Sequence, residues 1–280
     1  MKGRLVKVCS NGYIVNSKNE EQFVRARGKL KTRGEGLFVG DYVEVENGAI
    51  TKVFPRKNYL IRPRVSNVDG IMLVLASQPK PDYYLIDKVI LSGEKNNLET
   101  LIVVNKLDDD KEVYEEILSQ YNGVCKVKGV SAKLNTGLDE LRDFLKNKTV
   151  VLAGQSAVGK TSIINALFSL NLKVGDLSEK ISRGKHTTTY SQIYSDNDIS
   201  IIDSPGFAQI DADVDIEDLP FLYDEYFKAS QKCRFRGCTH IDEPDCEVKR
   251  LVEEGKLPKD RYNRYREIYN EIKKRRKDYE

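Results

Sequence analysis

The sequence lacks any long hydrophobic run. No stretch of about 18 apolar residues could span a bilayer, and no N-terminal segment has the layout of a signal peptide. A strong charge imbalance is also absent, because 46 Lys and Arg residues face 43 Asp and Glu residues and leave a net charge of +3. We therefore expect a soluble cytoplasmic protein without membrane contact, in which any surface that binds a polyanion is local.

Cysteine and histidine are scarce, with five and two residues respectively. The odd number of cysteines does not favour a disulfide framework, and three of them share one short segment with a histidine, CRFRGCTHIDEPDC. Three thiolates and an imidazole form the closed tetrahedral set that structural Zn²⁺ prefers, with no position left for water. The sequence predicts one structural zinc ion in a reducing compartment, with the ligands Cys233, Cys238, His240 and Cys246.

The pattern of apolar residues divides the chain into three predicted domains. Residues 1–64 contain short alternating segments between turn residues, which predict a small β-barrel of the oligonucleotide-binding (OB) kind; a hairpin extension of the next domain is the alternative. Residues 65–210 alternate apolar strands with helices, as in a doubly wound, mainly parallel sheet, and LIRPRVSN would be the linker before them. Residues 211–280 predict a mostly helical module that carries the zinc segment.

The segment GQSAVGKT matches the pattern of a phosphate-binding loop and lies between a predicted strand and a predicted helix. Backbone N–H groups of such a loop hold phosphates, while Lys160 would reach the β- and γ-oxygens as a catalytic residue and Thr161 would ligate Mg²⁺. The predicted phosphate-binding residues are Gly154, Gln155, Ser156, Ala157, Val158, Gly159, Lys160, Thr161 and Ser162.

The motif NKLD indicates which base the nucleotide carries. Asp108 would accept hydrogen bonds from the ring N–H and the exocyclic amine of guanine, a pair of donors that adenine lacks. Asn105 and Lys106 would brace the loop and the base. After the next strand, Ser131, Ala132 and Lys133 would supply a backbone N–H for the guanine carbonyl and a cover for the ring. The sequence therefore predicts GTP rather than ATP.

The motif DSPG follows the last apolar strand of this part. Asp203 would be a partner of Mg²⁺, and the N–H of Gly206 would sense the γ-phosphate. The base-reading motifs come before the phosphate loop, which reverses the order found in most GTPases. Because the termini of a compact domain often lie close together, a circular permutation can keep every nucleotide contact. We predict a circularly permuted GTPase domain whose γ-phosphate sensor leads directly into the C-terminal module.

The sequence leaves the group that promotes hydrolysis open. Phe207 stands where many GTPases have a glutamine that positions water, so unaided turnover is expected to be slow. His186 is a candidate to orient that water, and a solvated loop residue is the alternative. One of Thr187, Thr188 and Thr189 is expected to contact Mg²⁺ and the γ-phosphate.

Two basic segments flank the predicted GTPase domain, RARGKLKTRG at 25–34 and KKRRK at 273–277. Runs of charge are commonly no more than solvated faces. On an OB barrel, however, a loop with this charge would dock a phosphate backbone. Two basic modules on either side of a switch domain indicate a large RNA target.

In these motifs together the chain resembles the ribosome small subunit-dependent GTPase A (RsgA) family, over all three predicted domains. The resemblance implies a late factor in maturation of the small ribosomal subunit, which binds that subunit and its rRNA and whose GTP hydrolysis the subunit stimulates. A monomer is expected. The alternative is a nucleotide-gated rRNA-binding scaffold with incidental hydrolysis. The family's loop reads G-x-S-G-V-G-K-S, so Ala157 and Thr161 depart from it, and Ala157 matters if that position requires a positive φ.

Overall fold

The computed structural model describes residues 1–27, 36–172, 191–196, 198–204 and 214–279, without the side chains of 277–279. The strands are β1 (Lys2–Cys9), β2 (Gly12–Ser17), β3 (Glu20–Ala26), β4 (Tyr42–Glu46), β5 (Ala49–Val53), β6 (Tyr59–Leu60), β7 (Val65–Ser66), β8 (Gly70–Leu75), β9 (Glu99–Val104), β10 (Lys126–Gly129), β11 (Lys148–Ala153), β12 (Gln192–Asp196) and β13 (Ile199–Asp203). The α-helices are α1 (Tyr83–Lys95), α2 (Glu112–Tyr121), α3 (Leu138–Leu145), α4 (Lys160–Phe168), α5 (Asp224–Ser230), α6 (Glu247–Glu253) and α7 (Lys259–Tyr279).

Strands β1 to β5 form the predicted barrel. Strand β1 pairs with both β2 and β4, and β3 pairs with β5, so the sheet closes on itself. Alternating residues point inward, and Leu5, Val15 and Ile50 are fully buried. An Asn47-Gly48 turn with positive φ at both residues joins β4 to β5.

Strands β8 to β13 form the predicted doubly wound sheet, in the order β10-β9-β8-β11-β13-β12. All neighbours are parallel except β12, which runs antiparallel to β13. Every residue of β8 is buried, as expected for a strand with helices on both faces. Helices α1 and α2 pack on one face, and α3 and α4 pack on the other. The carboxyl ends of β8, β9, β11 and β13 therefore share one edge, where the sequence motifs lie.

The barrel and the parallel sheet are continuous. Strand β1 pairs with β12 through Lys7 and Gln192, and this pairing joins the barrel and the parallel sheet into one sheet of 11 strands. The side chain of Arg4 reinforces the junction by donating to Thr149 Oγ1 at 3.0 Å. The two regions also share one hydrophobic cluster, which includes Leu5 of the barrel and Ile193 of β12.

The predicted linker LIRPRVSN is instead a hairpin, in which β6 pairs with β7. Its anchor is the fully buried carboxylate of Asp41, which accepts hydrogen bonds from Ser66 Oγ at 2.6 Å and from Arg56 Nε at 2.7 Å. The side chain of Val65 is also fully buried. A proline marks a turn here rather than a flexible connection, because the flanking residues pack against the barrel. The predicted boundary after residue 64 falls within this hairpin and stays a prediction.

The C-terminal module is mostly helical, as predicted. Helices α5, α6 and α7 surround a core rich in tyrosine, and Leu91 of α1 belongs to the same core. Tyr223 and Tyr226 stack with ring centroids 4.9 Å apart, and Tyr265 lies edge-on to both. The module is therefore packed directly on the GTPase domain. Among the residues that the structure describes, no helix is both long and apolar enough to cross a membrane.

Candidate nucleotide and zinc sites

The base-reading motif touches the phosphate loop. Asn105 Nδ2 donates to the carbonyl of Val158 at 3.0 Å, and Lys106 Nζ donates to the carbonyl of Ala157 at 2.9 Å. The first contact joins residues that are 53 positions apart in the chain, and the second joins residues that are 51 positions apart. Parallel pairing of β8 with both β9 and β11 brings the two loops to the same edge. The permuted order of the motifs therefore still builds a single pocket.

Two glycines of the phosphate loop are required by close approaches of other groups. Gly154 has a φ of +130°, and a Cβ there would lie 2.2 Å from the carbonyl oxygen of Val74. Gly159 has a φ of +94°, and a Cβ there would lie 2.3 Å from Nδ2 of Asn105. Any side chain at Gly159 would thus separate the base-reading motif from the loop.

The side chains around Asp108 fix its carboxylate. Ser131 Oγ donates to Asp108 Oδ1 at 2.5 Å, and Lys133 Nζ lies 3.5 Å from Oδ2. The hydrogen bond from Ser131 is the main cause that lowers the pKa of Asp108, so the group stays an ionised acceptor. The backbone N–H of Ala132 donates to Asn105 Oδ1 at 3.1 Å. The SAK and NKLD segments thus form one unit.

Lys160 closes over the phosphate loop. Its ammonium donates to the carbonyls of Gly154 at 2.8 Å and Gln155 at 2.5 Å. Burial lowers the pKa of Lys160, while the nearby carboxylate of Asp203 opposes that shift. The N-terminus of α4 follows directly, so backbone N–H groups, helix dipole and ammonium converge on the space that phosphates would occupy.

The predicted magnesium ligands are buried near Lys160: Thr161 follows it directly, and the carboxylate of Asp203 interacts with its charge. Thr161 and Asp203 are each 8% exposed, and Asp203 Oδ2 is buried without a hydrogen-bond partner among the described residues. Burial raises the pKa of Asp203, although the charge of Lys160 acts in the opposite direction. A hydroxyl and an unpaired buried carboxylate oxygen are ligands of the type that Mg²⁺ prefers, so these residues fit the ion.

Several predicted residues lie outside the part of the chain that the structure describes. They are His186, Thr187, Thr188, Thr189, Gly206 and Phe207, and with them most of the basic segment at 25–34. Ser191 and Ser204 are the nearest described residues, and their hydroxyls lie 2.6 Å apart. The roles predicted for the outlying residues stay predictions.

The four predicted zinc ligands are gathered in one cluster. Their ligand atoms all lie within 4.8 Å of one another. His240 Nδ1 lies 3.4 Å from the sulfur of Cys246 and 3.8 Å from that of Cys233, and these two sulfurs are 3.9 Å apart. Ligands about 2.0–2.3 Å from a tetrahedral zinc ion have such separations, so the donor set fits Zn²⁺.

The sequence did not reveal how the zinc loop is held. Glu243 accepts from Thr239 N and Oγ1, both at 2.7 Å, and from Ile241 N at 3.1 Å. Partial burial acts to raise the pKa of Glu243, but these hydrogen bonds outweigh it and place the pKa at about 2. Tyr262 donates to the carbonyl of His240 at 2.7 Å. The only available signal was an acidic residue placed between two ligands.

Comparison with known proteins matches the RsgA GTPase family model to residues 53–213, which include both nucleotide motifs. The chain belongs to the RsgA GTPase family. As a member of this family it is a GTP-hydrolysing enzyme, as the motifs predicted. The OB barrel, the permuted GTPase domain and the helical C-terminal module predicted from the sequence are all confirmed.

The RsgA relatives match along nearly the whole chain. The small ribosomal subunit biogenesis GTPase RsgA of Thermotoga maritima is 38% identical over 99% of this chain and 98% of its own, and that of Bacillus cereus is 36% identical over 99% of each. Among solved structures, YjeQ from Thermotoga maritima is 35% identical, with a TM-score of 0.78 over 97% of this chain and 98% of its own. YloQ, described as a circularly permuted GTPase, is 30% identical, with a TM-score of 0.74 over 98% and 95%.

Proposed function

We propose that this enzyme binds the small ribosomal subunit, assists its late maturation, and hydrolyses GTP faster when bound to it. The contact between the NKLD motif and the phosphate loop carries the proposal, because it unites a guanine reader and a triphosphate site. Relatives that are named for biogenesis of the small ribosomal subunit, and that share all three parts of the chain, support the choice of partner.

In this proposal each residue of the pocket has a separate task. Asp108 accepts the two guanine donors, and Ala132 offers its backbone to the base carbonyl while Lys133 covers the ring. Lys160 exchanges the loop carbonyls that it now binds for β- and γ-phosphate oxygens. Thr161 and Asp203 hold Mg²⁺, which supplies positive charge against the phosphates when it is bound.

The surface of the barrel supports an RNA partner. Phe54 lies under two ammonium groups, with Lys2 Nζ 5.0 Å and Lys52 Nζ 5.3 Å from the ring centroid. On the neighbouring strand β4, Tyr42 is 48% exposed, and the guanidinium carbon of Arg4 lies 5.5 Å from its ring centroid. Cations beside aromatic rings suit phosphates and unstacked bases, so we assign rRNA binding to the outer surface of β1, β4 and β5.

The remaining assignments follow from the sequence. His186 orients the attacking water, one of the neighbouring threonines completes the magnesium shell, and the N–H of Gly206 senses the γ-phosphate. One structural Zn²⁺ is bound by the cysteine and histidine cluster. The protein acts as a cytoplasmic monomer that exchanges GDP for GTP, and the boundaries between its three domains lie near residues 64 and 210.

Single-turnover hydrolysis of GTP, with and without purified small ribosomal subunits, tests this function. We expect faster hydrolysis with small subunits, no response to large subunits, and no hydrolysis of ATP. Binding to small subunits that depends on GTP but leaves hydrolysis unchanged would favour the alternative, a nucleotide-gated scaffold. This alternative is favoured by Phe207, which stands where many GTPases have a glutamine that positions water.

A further inference from the structure

Helix α7 forms hydrogen bonds with the first two turns of α1, the helix that follows strand β8 and the loop 76–82. Asp87 of α1 is fully buried, and its two carboxylate oxygens accept hydrogen bonds from Arg261 and Arg264 of α7. Tyr121, the last residue of α2, donates to the same carboxylate at 3.1 Å. Arg264 also donates to the side-chain carbonyl of Gln120 at 3.0 Å. One buried carboxylate thus ties three helices together.

A second contact lies further along the same two helices. Glu271 of α7 accepts a hydrogen bond from the hydroxyl of Tyr84 and another from Lys88 Nζ at 3.1 Å. Burial acts to raise the pKa of Glu271, but its hydrogen bonds prevail and place the pKa at about 2, so the group is ionised near neutral pH. We call these two contacts, formed by Asp87 and Glu271 with their partners, the C-terminal clamp.

The residues of α1 in the clamp belong to its first two turns, directly after the loop 76–82. Asp82 caps the helix by accepting from Leu85 N at 3.0 Å, which joins the end of the loop to the helix. Within the loop, the carbonyl of Gln78 accepts a hydrogen bond from Lys106 Nζ at 3.0 Å. The same ammonium bonds to the carbonyl of Ala157. Lys106 therefore links this loop to the phosphate loop through hydrogen bonds to both.

Lys106 depends on such support because of its backbone. Its φ of +65° is a left-handed conformation that costs a residue with a side chain about 1–2 kcal/mol. The two carbonyls that accept from its ammonium support this position, together with backbone hydrogen bonds such as that from Asp109 N to the Lys106 carbonyl at 2.9 Å. If α1 and its preceding loop shift, the Gln78 carbonyl moves and Lys106 loses one of its two acceptors. The effect on the motif therefore acts through Lys106.

We propose that α7 positions the guanine-reading motif, through the C-terminal clamp, α1 and the Gln78 carbonyl, and that Arg264 is a positioning residue for guanine nucleotides. This inference rests on the proposed role of the NKLD motif in base recognition. The clamp slows nucleotide release because it keeps the Gln78 carbonyl in place as an acceptor for Lys106. Because coupling between two sites is reciprocal, a bound nucleotide also stabilises α7 on α1.

The test compares release of a fluorescent GDP analogue from three full-length variants with release from the unchanged protein. Arg264→Met keeps an unbranched apolar stem and removes the guanidinium group, and Arg264→Lys keeps the positive charge. Arg266→Met removes an exposed charge two residues along the same helix. We expect release about five- to tenfold faster with Arg264→Met, partial restoration with Arg264→Lys, and an unchanged rate with Arg266→Met.

Bound zinc and circular dichroism show whether each variant has folded. Glu271→Gln weakens the second contact by removing the charge of a carboxylate that is 33% exposed, so it replaces Arg264→Met if that variant fails to fold. Hydrogen exchange of residues 261–272 gives an independent readout, and we expect slower exchange when GDP is bound.

The outcomes separate this inference from the proposed function. Failure of the unchanged protein to prefer guanine nucleotides would overturn the base-reading assignment itself. If that preference holds and the folded clamp variants release GDP at the unchanged rate, only the clamp proposal fails. An equal acceleration by Arg266→Met, or exchange in α7 that ignores GDP, would also overturn it.

Discussion

The zinc cluster and the nucleotide pocket are built on opposite principles. All four donors of the zinc cluster come from residues 233–246, and together they would fill the four tetrahedral positions of a single zinc ion. The nucleotide pocket draws on segments from Asn105 to Asp203, and it leaves Gln155 Oε1 and Asp203 Oδ2 buried without partners among the described residues. A complete set of four donors from one short segment suits an ion that stays bound as part of the fold. A site assembled from distant segments, with an unpaired carboxylate oxygen at a predicted Mg²⁺ ligand, suits a ligand that enters and leaves.

The comparison predicts that loss of one zinc ligand does more damage than any change in the nucleotide pocket. Cys238→Ser should abolish zinc binding and melt the core of the C-terminal module, because Cys238 is buried within it. A structural zinc ion contributes on the order of 10 kcal/mol, which exceeds the stability of a typical small module. Zinc content and circular dichroism measure the effect.

Cys9→Ser is the matched control for this prediction, since Cys9 lies in the barrel, away from the cluster. It should retain one zinc ion and a native spectrum. Stoichiometric zinc in Cys238→Ser would show that the donor set is not closed. Guanine nucleotides should still bind to Cys238→Ser, with faster release because the clamp is lost.

The second prediction addresses specificity. Asp108→Asn should weaken GTP binding by roughly 100-fold or more, because an amide cannot accept from both guanine donors, and it should gain affinity for xanthosine triphosphate. Competition for a fluorescent nucleotide measures both. Asp109→Asn, at the exposed neighbouring carboxylate, should change neither affinity. An unchanged preference in Asp108→Asn would remove the base reader from this pocket.

The third prediction concerns protons at the open site. Burial raises the pKa of Asp203 above its usual 3.8, so a proton competes with Mg²⁺ at pH values where an ordinary aspartate is ionised. As pH falls below this raised pKa, the affinity for Mg²⁺ in the GTP complex should decrease about tenfold per unit. Calorimetric titration with Mg²⁺ across pH measures this, and Asp203→Asn should remove the dependence. The same pH profile in the unchanged protein and in Asp203→Asn would contradict it.

The smallest effect is expected at Ala157, where the loop departs from the family's glycine. Its φ of +66° is in the left-handed region, so Ala157→Gly should stabilise the protein by about 1 kcal/mol. Ala166→Gly within α4 should have the opposite sign and a similar size, because glycine weakens a helix. Urea unfolding measures both changes. Destabilisation by Ala157→Gly would mean that the loop carries no such strain.

The sequence was sufficient to predict those parts of the fold and the site that depend on a local pattern of residue types. The alternation of strands and helices predicted the sheet, and the motifs ending the strands predicted that NKLD and the phosphate loop meet, since carboxyl ends of parallel strands share an edge. The same holds for the zinc ligands, whose residue types and spacing are sufficient. The sequence did not predict that His240 turns its Nδ1 atom toward the cysteine sulfurs. The direction of this side chain depends on a backbone that Tyr262 and Glu243 hold.

Contacts between distant residues without a pattern stayed hidden. Arg264 and Asp87 are 177 positions apart, and neither lies in a recognisable motif. The hairpin of β6 and β7 was missed because its stability comes from Asp41, which is 25 positions from Ser66. Tertiary packing decides such contacts, and the polarity of the individual residues gives no warning of them.

The junction of β1 with β12 has a consequence for any attempt to cut the molecule into pieces. A fragment without the barrel would lose the pairing of Lys7 with Gln192 and would uncover the buried side chain of Ile193 on the edge strand β12. Such an edge is a template for other chains, so the fragment should self-associate. The barrel thus also guards its neighbour against aggregation.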